Sequence, residues 1–195
     1  MINELMIRNA MVTDAPFIAR VVLAGIDMLD LDDAIPAEQQ PIFEHLVELC
    51  RMDDTLYSFR NTCIAEVQDK VVGALVAYDG ARYAALRAKT FGLVQQTSGM
   101  DLSRNAMETG PGEFYLDSMA ILSDYKGVGI GKMLMRDRMD YAFNNKFKEV
   151  TLLVDKDKPR LQKYYESMGF VFSEELFVFG SWYNKLNSYL CKDKK

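Results

Sequence analysis

The sequence predicts a protein of mixed α/β class, of the α+β type, on three observations. Residues 62–67 and 71–78 are rich in β-branched and apolar side chains and are joined at Gln68-Asp69-Lys70, the pattern of a hairpin. Residues 113–122 read as a strand, 129–145 as a helix and 150–154 as a strand, with a glycine-rich turn after the first. Two further β-rich stretches, about 169–179 and 182–190, come last.

Each remaining element follows from local signals. Residues 5–10 form a short first strand. Thr13 or Asp14 then offers an N-cap, with Pro16 in the first turn of a helix. Phe17, Ile18, Val21, Val22 and Gly25 recur at helical spacing, and the acidic stretch 30–33 ends that helix. Pro36 and Pro41 precede a second helix running to about Met52. After the hairpin, residues 80–96 are helical, with Tyr83, Leu86, Thr90 and Leu93 on one stripe and Gly99 as the stop. Residues 101–107 suit one more helical turn before the glycine-rich stretch 109–112. A last helix covers 157–168, with Pro159 near its first position. No repeat, low-complexity tract or linker interrupts the chain, and the strand–helix–strand unit needs its faces covered by the other helices. One domain over residues 1–195 is therefore expected, with 80–112 as a helical insertion.

Composition excludes several chemistries. The chain has 23 lysines and arginines against 28 aspartates and glutamates, a formal charge of −5, which argues against binding a nucleic-acid backbone. Its single histidine, His45, leaves no zinc site built on two or three histidines. With Ile42, Leu46 and Leu49 on an apolar stripe, His45 reads as a surface or boundary residue. Cys50, Cys63 and Cys191 are scattered and form no Cys-x-x-Cys, so neither a disulfide framework nor a metal site is expected. No apolar run approaches the ~18 residues of a membrane span. A soluble protein of the reducing cytoplasm is the expectation, with no metal, membrane or nucleic-acid partner.

The most specific local feature is Lys126-Gly127-Val128-Gly129-Ile130-Gly131-Lys132, between a strand and a helix. Glycines let a ligand approach the backbone, and the first N–H groups of a helix point outward unsatisfied, so the turn suits an anion such as a phosphate. A Walker A loop would need glycine where Lys126 stands and a hydroxyl residue where Met133 stands. A dinucleotide fingerprint would need glycine where Lys132 stands. Neither fits.

The pattern Arg/Gln-x-x-Gly-x-Gly/Ala does fit, with Lys126 first and Gly129 and Gly131 as its small residues. Together with the strand before it, this passage resembles the acetyl-CoA-binding motif of the GNAT superfamily of N-acetyltransferases. Downstream, residues 159–170 (Pro-Arg-Leu-Gln-Lys-Tyr-Tyr-Glu-Ser-Met-Gly-Phe) resemble a second GNAT motif, a helix that carries a tyrosine and ends in Gly-Phe. The resemblance covers about 113–170. It implies the GNAT fold, a central mixed and mostly antiparallel sheet of six to seven strands flanked by helices. It also implies acetyl-CoA as cosubstrate. The N–H groups of Val128, Gly129, Ile130, Gly131 and Lys132 would hold the pyrophosphate, with Lys126 and Gly127 beside them. Backbone groups of Met119, Ala120 and Ile121 would meet the pantetheine and thioester. Two departures stand out. Lys126 replaces the usual arginine or glutamine and keeps a cation or donor there. Lys158 stands where many members have an asparagine for the pantetheine arm, so it faces either a phosphate or solvent, and Leu161 replaces a common alanine.

The implied reaction moves an acetyl group from CoA to a primary amine of a small molecule, a peptide N-terminus or a lysine. An amine of pKa ~10 must lose a proton before it attacks, and the leaving thiolate must gain one. Tyr165 matches the motif tyrosine that many members use as acid; Tyr164, about 100° round the helix, is assigned to packing. For the base, strand alternation puts Glu113, Tyr115, Asp117, Met119 and Ile121 on one face. Asp117 ranks first, Glu113 second and Glu108 third, with a water relay as the route where no carboxylate reaches the amine. Charge order agrees: four acids and no lysine or arginine lie in 105–125, and four cations with one acid in 126–138. The insertion 80–112 is expected to shape the acceptor pocket. The alternative is a non-catalytic acyl-CoA sensor of the same fold, and a homodimer is left open.

Overall fold

Residues 5–189 are described by a computed structural model. Its elements run β1 (Leu5–Asn9), α1 (Ala15–Gly25), α2 (Gln40–Arg51), β2 (Thr62–Val67), β3 (Lys70–Asp79) and α3 (Tyr83–Ser98). They continue with β4 (Glu113–Ile121), α4 (Ile130–Asn144), β5 (Glu149–Asp155), α5 (Pro159–Glu166), β6 (Val171–Val178) and β7 (Ser181–Tyr189). The strands hydrogen-bond in the order β1-β2-β3-β4-β5-β7-β6, a mixed and mostly antiparallel sheet with a parallel β4–β5 pair. The chain gathers into two compact units, one holding residues up to Ala77 with Ser118–Asp140, the other Tyr78–Asp117 with residues from Tyr141 onward.

In the first unit, the β2–β3 turn places Gln68 at φ 49° and Asp69 at φ 62°, the double left-handed geometry that matches the twist of a tight hairpin. β3 is buried almost end to end, as a strand covered on both faces must be. Space beside it is scarce: a Cβ on Gly73 would lie 3.0 Å from Ile121 Cγ1. In α1, Ile18, Ala19, Val21, Val22 and Leu23 are buried. Asp14 precedes α1, but its carboxylate turns back to accept from the Met11 N–H (2.7 Å) and from both Arg8 Nη atoms (2.7 and 3.1 Å), while Arg8 Nε donates to Glu66 (2.7 Å). Burial works to raise the Asp14 pKa, and the Arg8 and Met11 bonds outweigh it, leaving it lowered.

Asp14→Asn is expected to destabilise the protein by about 2 kcal/mol at neutral pH in urea unfolding. Because the folded-state pKa is depressed, that contribution is present above the unfolded carboxylate range and vanishes as pH falls through the folded value. The gap between wild type and variant should therefore close on acidification.

In the second unit, β5 pairs β7 from Glu149–Tyr189 to Asp155–Tyr183, and β6 folds back on β7 through Phe179 (φ 51°) and Gly180 (φ 84°). β7 thus lies between β5 and β6. Phe114 packs its ring against Tyr141 (5.4 Å) and Phe147 (5.1 Å), and Phe170 and Leu186 are buried.

Several expected boundaries move. The first helix ends at Gly25, well before the acidic stretch, because Asp27 (φ 56°) already leaves helical geometry. α3 runs to Ser98 and stops at Gly99 (φ 74°), but residues 101–107 form turns and no helix. The carbonyls of Leu102, Ser103 and Asn105 are claimed by the Arg87 guanidinium. α5 stops at Glu166, and Gly169 (φ 94°) reverses the chain into β6. Ile42 is exposed, so the α2 stripe is carried by Leu46, Val47, Leu49 and Cys50. Leu190 and Cys191 lie outside the described residues; Cys50 and Cys63 are free thiols in the interior. Among the described residues no helix is long and apolar enough to cross a membrane, and no group of three metal-ligating side chains assembles.

Candidate active site

The glycine turn belongs to the first unit. A short 3-10 turn at Ser123–Tyr125 leads into it, anchored by Asp32, whose carboxylate accepts from Ser123 N–H (3.0 Å) and Oγ (2.7 Å). Gly127 (φ 78°) and Gly129 (φ 95°) then take left-handed conformations. A Cβ at either would meet nothing within 4 Å, so the glycines answer a backbone requirement and leave open space beside the turn. The first backbone bond into α4 runs from Met133 N–H to the Gly129 carbonyl (3.1 Å). The N–H groups of Ile130, Gly131 and Lys132 therefore precede the helical ladder, where the helix dipole adds positive potential. Lys126, Val128 and Lys132 are exposed. Outward N–H groups, two exposed lysines and open space therefore meet at this turn.

β4 passes through both units. Its ladder with β5 runs from Glu113–Glu149 to Leu116–Leu152, whereas β4 itself continues to Ile121. Met119, Ala120 and Ile121 lie in this extension and are half-buried. Alternation holds over the first part: Phe114 and Leu116 enter the apolar core, and Glu113, Tyr115 and Asp117 face the other way.

On that second face the structure gathers an acid–phenol cluster. Tyr78, at the end of β3, donates its hydroxyl to Asp117 Oδ2 (2.6 Å). Tyr83, opening α3, donates to Glu108 Oε1 (2.7 Å), and Tyr115 donates to Glu108 Oε2 (2.8 Å). The three rings pack with centroids 5.7–6.5 Å apart. Burial first, and the nearby Asp117 charge second, raise the Glu108 pKa to about 7, against the two phenol bonds and Arg87, which favour its ionised form. Burial and the carboxylates push all three phenols up, so they remain donors across the neutral range.

Glu113 lies on the same strand face but in different company. Lys185 Nζ reaches both of its oxygens (3.0 and 2.9 Å), and the hydroxyls of Thr109 (2.8 Å) and Thr151 (3.0 Å) donate to Oε2. Lys185 is itself buried, so this carboxylate is the counter-ion of an interior cation.

Tyr165 sits on α5 with its ring 5.6 Å from Tyr164 and 6.1 Å from Phe170, the residue that ends the motif. Burial, followed by Tyr164, raises its pKa to about 12. No hydrogen-bond partner is found for its hydroxyl among the described residues. Lys158 is half-buried at the start of α5, its N–H bonded to the Asp155 carbonyl (2.9 Å) and its own carbonyl accepting from Leu161 (3.0 Å) and Gln162 (3.1 Å). Of the proposed proton-transfer residues, Asp117 and Glu108 come together through Tyr78 and Tyr115, and Glu113 is drawn off by Lys185.

Sequence reasoning passes over Tyr78, Tyr83, Tyr115 and Lys185. Each tyrosine sits in an apolar stripe or strand, the usual place of a core residue. The available signal was Tyr115, one step from Asp117 on a face already marked as acidic.

A mixed sheet, a glycine turn opening a helix and a separate acid–phenol cluster are features that an acyltransferase can use. The acetyltransferase (GNAT) family model matches residues 28–170, and the chain belongs to that family. A solved structure described as an acetyltransferase superimposes with TM-score 0.74 at 25% identity, covering 94% of this chain and 98% of its own. An N-acetyltransferase from Staphylococcus aureus Mu50 gives TM-score 0.72 at 23% identity, over 93% of this chain and 99% of that one. The NatC complex bound to Gag peptide and CoA shares the fold alone, with TM-score 0.54 at 18% identity over 96% of this chain and 99% of that one. No curated protein matches the chain in sequence.

Proposed function

We propose that this acetyltransferase moves an acetyl group from acetyl-CoA to a primary amine of a small molecule, a peptide N-terminus or a lysine. The observation that carries the chemistry is the Glu108–Asp117 cluster, an acid pair held by phenols with Glu108 raised to about 7. That value suits a base that must accept a proton from an ammonium group near neutral pH and release it again. Glu108 and Asp117 act as a pair, directly or through one water, and take precedence over Glu113, whose oxygens already accept three hydrogen bonds and the ion pair of Lys185.

Acetyl-CoA supplies an activated acyl group as a thioester. The turn at residues 126–132 fits its pyrophosphate, since backbone donors, two lysines and open space meet there. Met119, Ala120 and Ile121 are proposed to contact the pantetheine through the stretch of β4 beyond the β5 ladder, and Lys158 is a further proposed contact of the cosubstrate. Tyr165 holds a proton on its phenol oxygen and gives it to the departing sulfur, a role supported by its raised pKa and unclaimed hydroxyl. The whole chain is read as one acetyltransferase domain of the cytoplasm, with 80–112 as the acceptor-shaping part.

The test is incubation with acetyl-CoA and an amine panel, following free thiol and product mass. Transfer to at least one amine is expected. Tight CoA binding with no transfer to any amine would replace the enzyme by an acyl-CoA sensor. Tyr165→Phe should lower kcat by roughly 100-fold or more, with the Kd for CoA changing far less; an unchanged kcat removes Tyr165 from the mechanism.

A further inference from the structure

We propose that Arg87 is a positioning residue that delivers Glu108 to the acid–phenol cluster. The proposal rests on the reading of Glu108 as a base. Arg87 lies one helical turn after Tyr83 on α3. Its Nη2 donates to the carbonyl oxygens of Asn105 (2.6 Å), Ser103 (3.2 Å) and Leu102 (3.4 Å), and Nη1 lies 3.4 Å from Met107 Sδ. The guanidinium also lies 5.0 Å from the centroid of Phe91, one turn further along α3. These contacts grip the segment 102–107 that immediately precedes Glu108. That segment has no helix or strand of its own, so its carbonyls depend on side-chain donors. Asn105 adds a second tie, accepting from the Phe179 N–H (2.7 Å).

Consequently, α3 holds Glu108 twice. Tyr83 binds the carboxylate, and Arg87 binds the backbone that presents it. The fork matters because Nη2 meets the three carbonyls while Nη1 reaches Met107 Sδ, two separate donors held in one plane, which the single ammonium of lysine cannot reproduce. Charge matters separately. The groups acting on Glu108 are Tyr83 and Arg87 from α3 and Tyr115 and Asp117 from β4, with Tyr78 of β3 engaged on Asp117. Arg87 is the cation in that set, favouring the ionised carboxylate that the base requires.

Arg87→Gln and Arg87→Lys, compared with wild type, test both contributions. The measurements are kcat/KM against pH, the Kd for CoA, and NMR titration of the Glu108 side-chain carboxyl carbon. Arg87→Gln should lower kcat by roughly tenfold or more, as a shifted catalytic group does. The acidic limb of the profile and the Glu108 titration should both move to higher pH, and CoA affinity should stay within about twofold of wild type. Arg87→Lys keeps the charge and loses the fork, so kcat should fall while the limb stays near its wild-type position. Wild-type kcat and an unmoved Glu108 titration in Arg87→Gln overturn the proposal. If Arg87→Gln fails to bind CoA, Arg87→Lys decides it, and full kcat there overturns the fork. The NMR titration reports Arg87 acting on Glu108 even if no amine is acetylated, so failure of the base reading and failure of this proposal are told apart.

Discussion

Gly129→Glu is expected to abolish measurable CoA binding while leaving the fold intact. Two costs arise. At φ 95° the position is strained for any side chain, by about 1–2 kcal/mol. A carboxylate placed before the first N–H groups of α4 then occupies the region meant for a phosphate and repels it, reversing an attraction of up to about 2 kcal/mol. The first is carried by free and CoA-bound protein alike and lowers stability; the second alone is worth about one to two decades in Kd, on top of the space the side chain fills. Gly129→Ala isolates the first cost, because a Cβ there meets nothing within 4 Å, and should lower stability by about 1 kcal/mol with CoA affinity little changed. Calorimetric titration with CoA checks both variants. Retention of near-wild-type affinity by Gly129→Glu would show that the turn does not bind the cosubstrate.

Glu108→Gln is expected to lower kcat/KM by roughly 10²–10⁴-fold, the usual worth of a positioned base. The wild-type profile should fall as pH drops through about 7, where Glu108 takes up its proton, and the variant should lose that limb. Stability supplies an independent check with the opposite sense. A carboxyl whose folded-state pKa is raised contributes stability that is fully present below its unfolded pKa and lost as pH rises through the folded one. Wild type should therefore gain stability between pH 8 and pH 5 from this group, and Glu108→Gln should lack that gain. A variant that kept the rate and the limb would return the base to Asp117 alone.

The glycine turn was legible because everything that defines it lies within seven consecutive residues, Lys126 to Lys132. Alternation likewise put Glu113, Tyr115 and Asp117 on one face, and that is where they are. Which of those acids is held by a buried cation was not legible. Glu113 is engaged by a lysine 72 positions away, and Glu108 receives a hydroxyl from a tyrosine 25 positions away. Side-chain periodicity reports direction from the backbone and carries no information about the partner that arrives from another element. Arg87 was invisible for the same reason. A single arginine on a helix reads as a solvated side chain until the segment 102–107 is laid across it.

By itself the sequence determined the class of fold, the strand–turn–helix that suits a phosphate, and that no site can be built on two histidines. All of these depend on residues near one another in the chain, where backbone conformation and spacing act directly. Tertiary structure decided that β7 lies between β5 and β6, that Lys185 neutralises Glu113, and that Glu108 joins Asp117 among three phenols. Those outcomes depend on long-range packing, since burial raises the Glu108 pKa and a distant cation claims Glu113. A carboxylate becomes a base or a counter-ion according to its neighbours, and the neighbours are set only when the chain is folded.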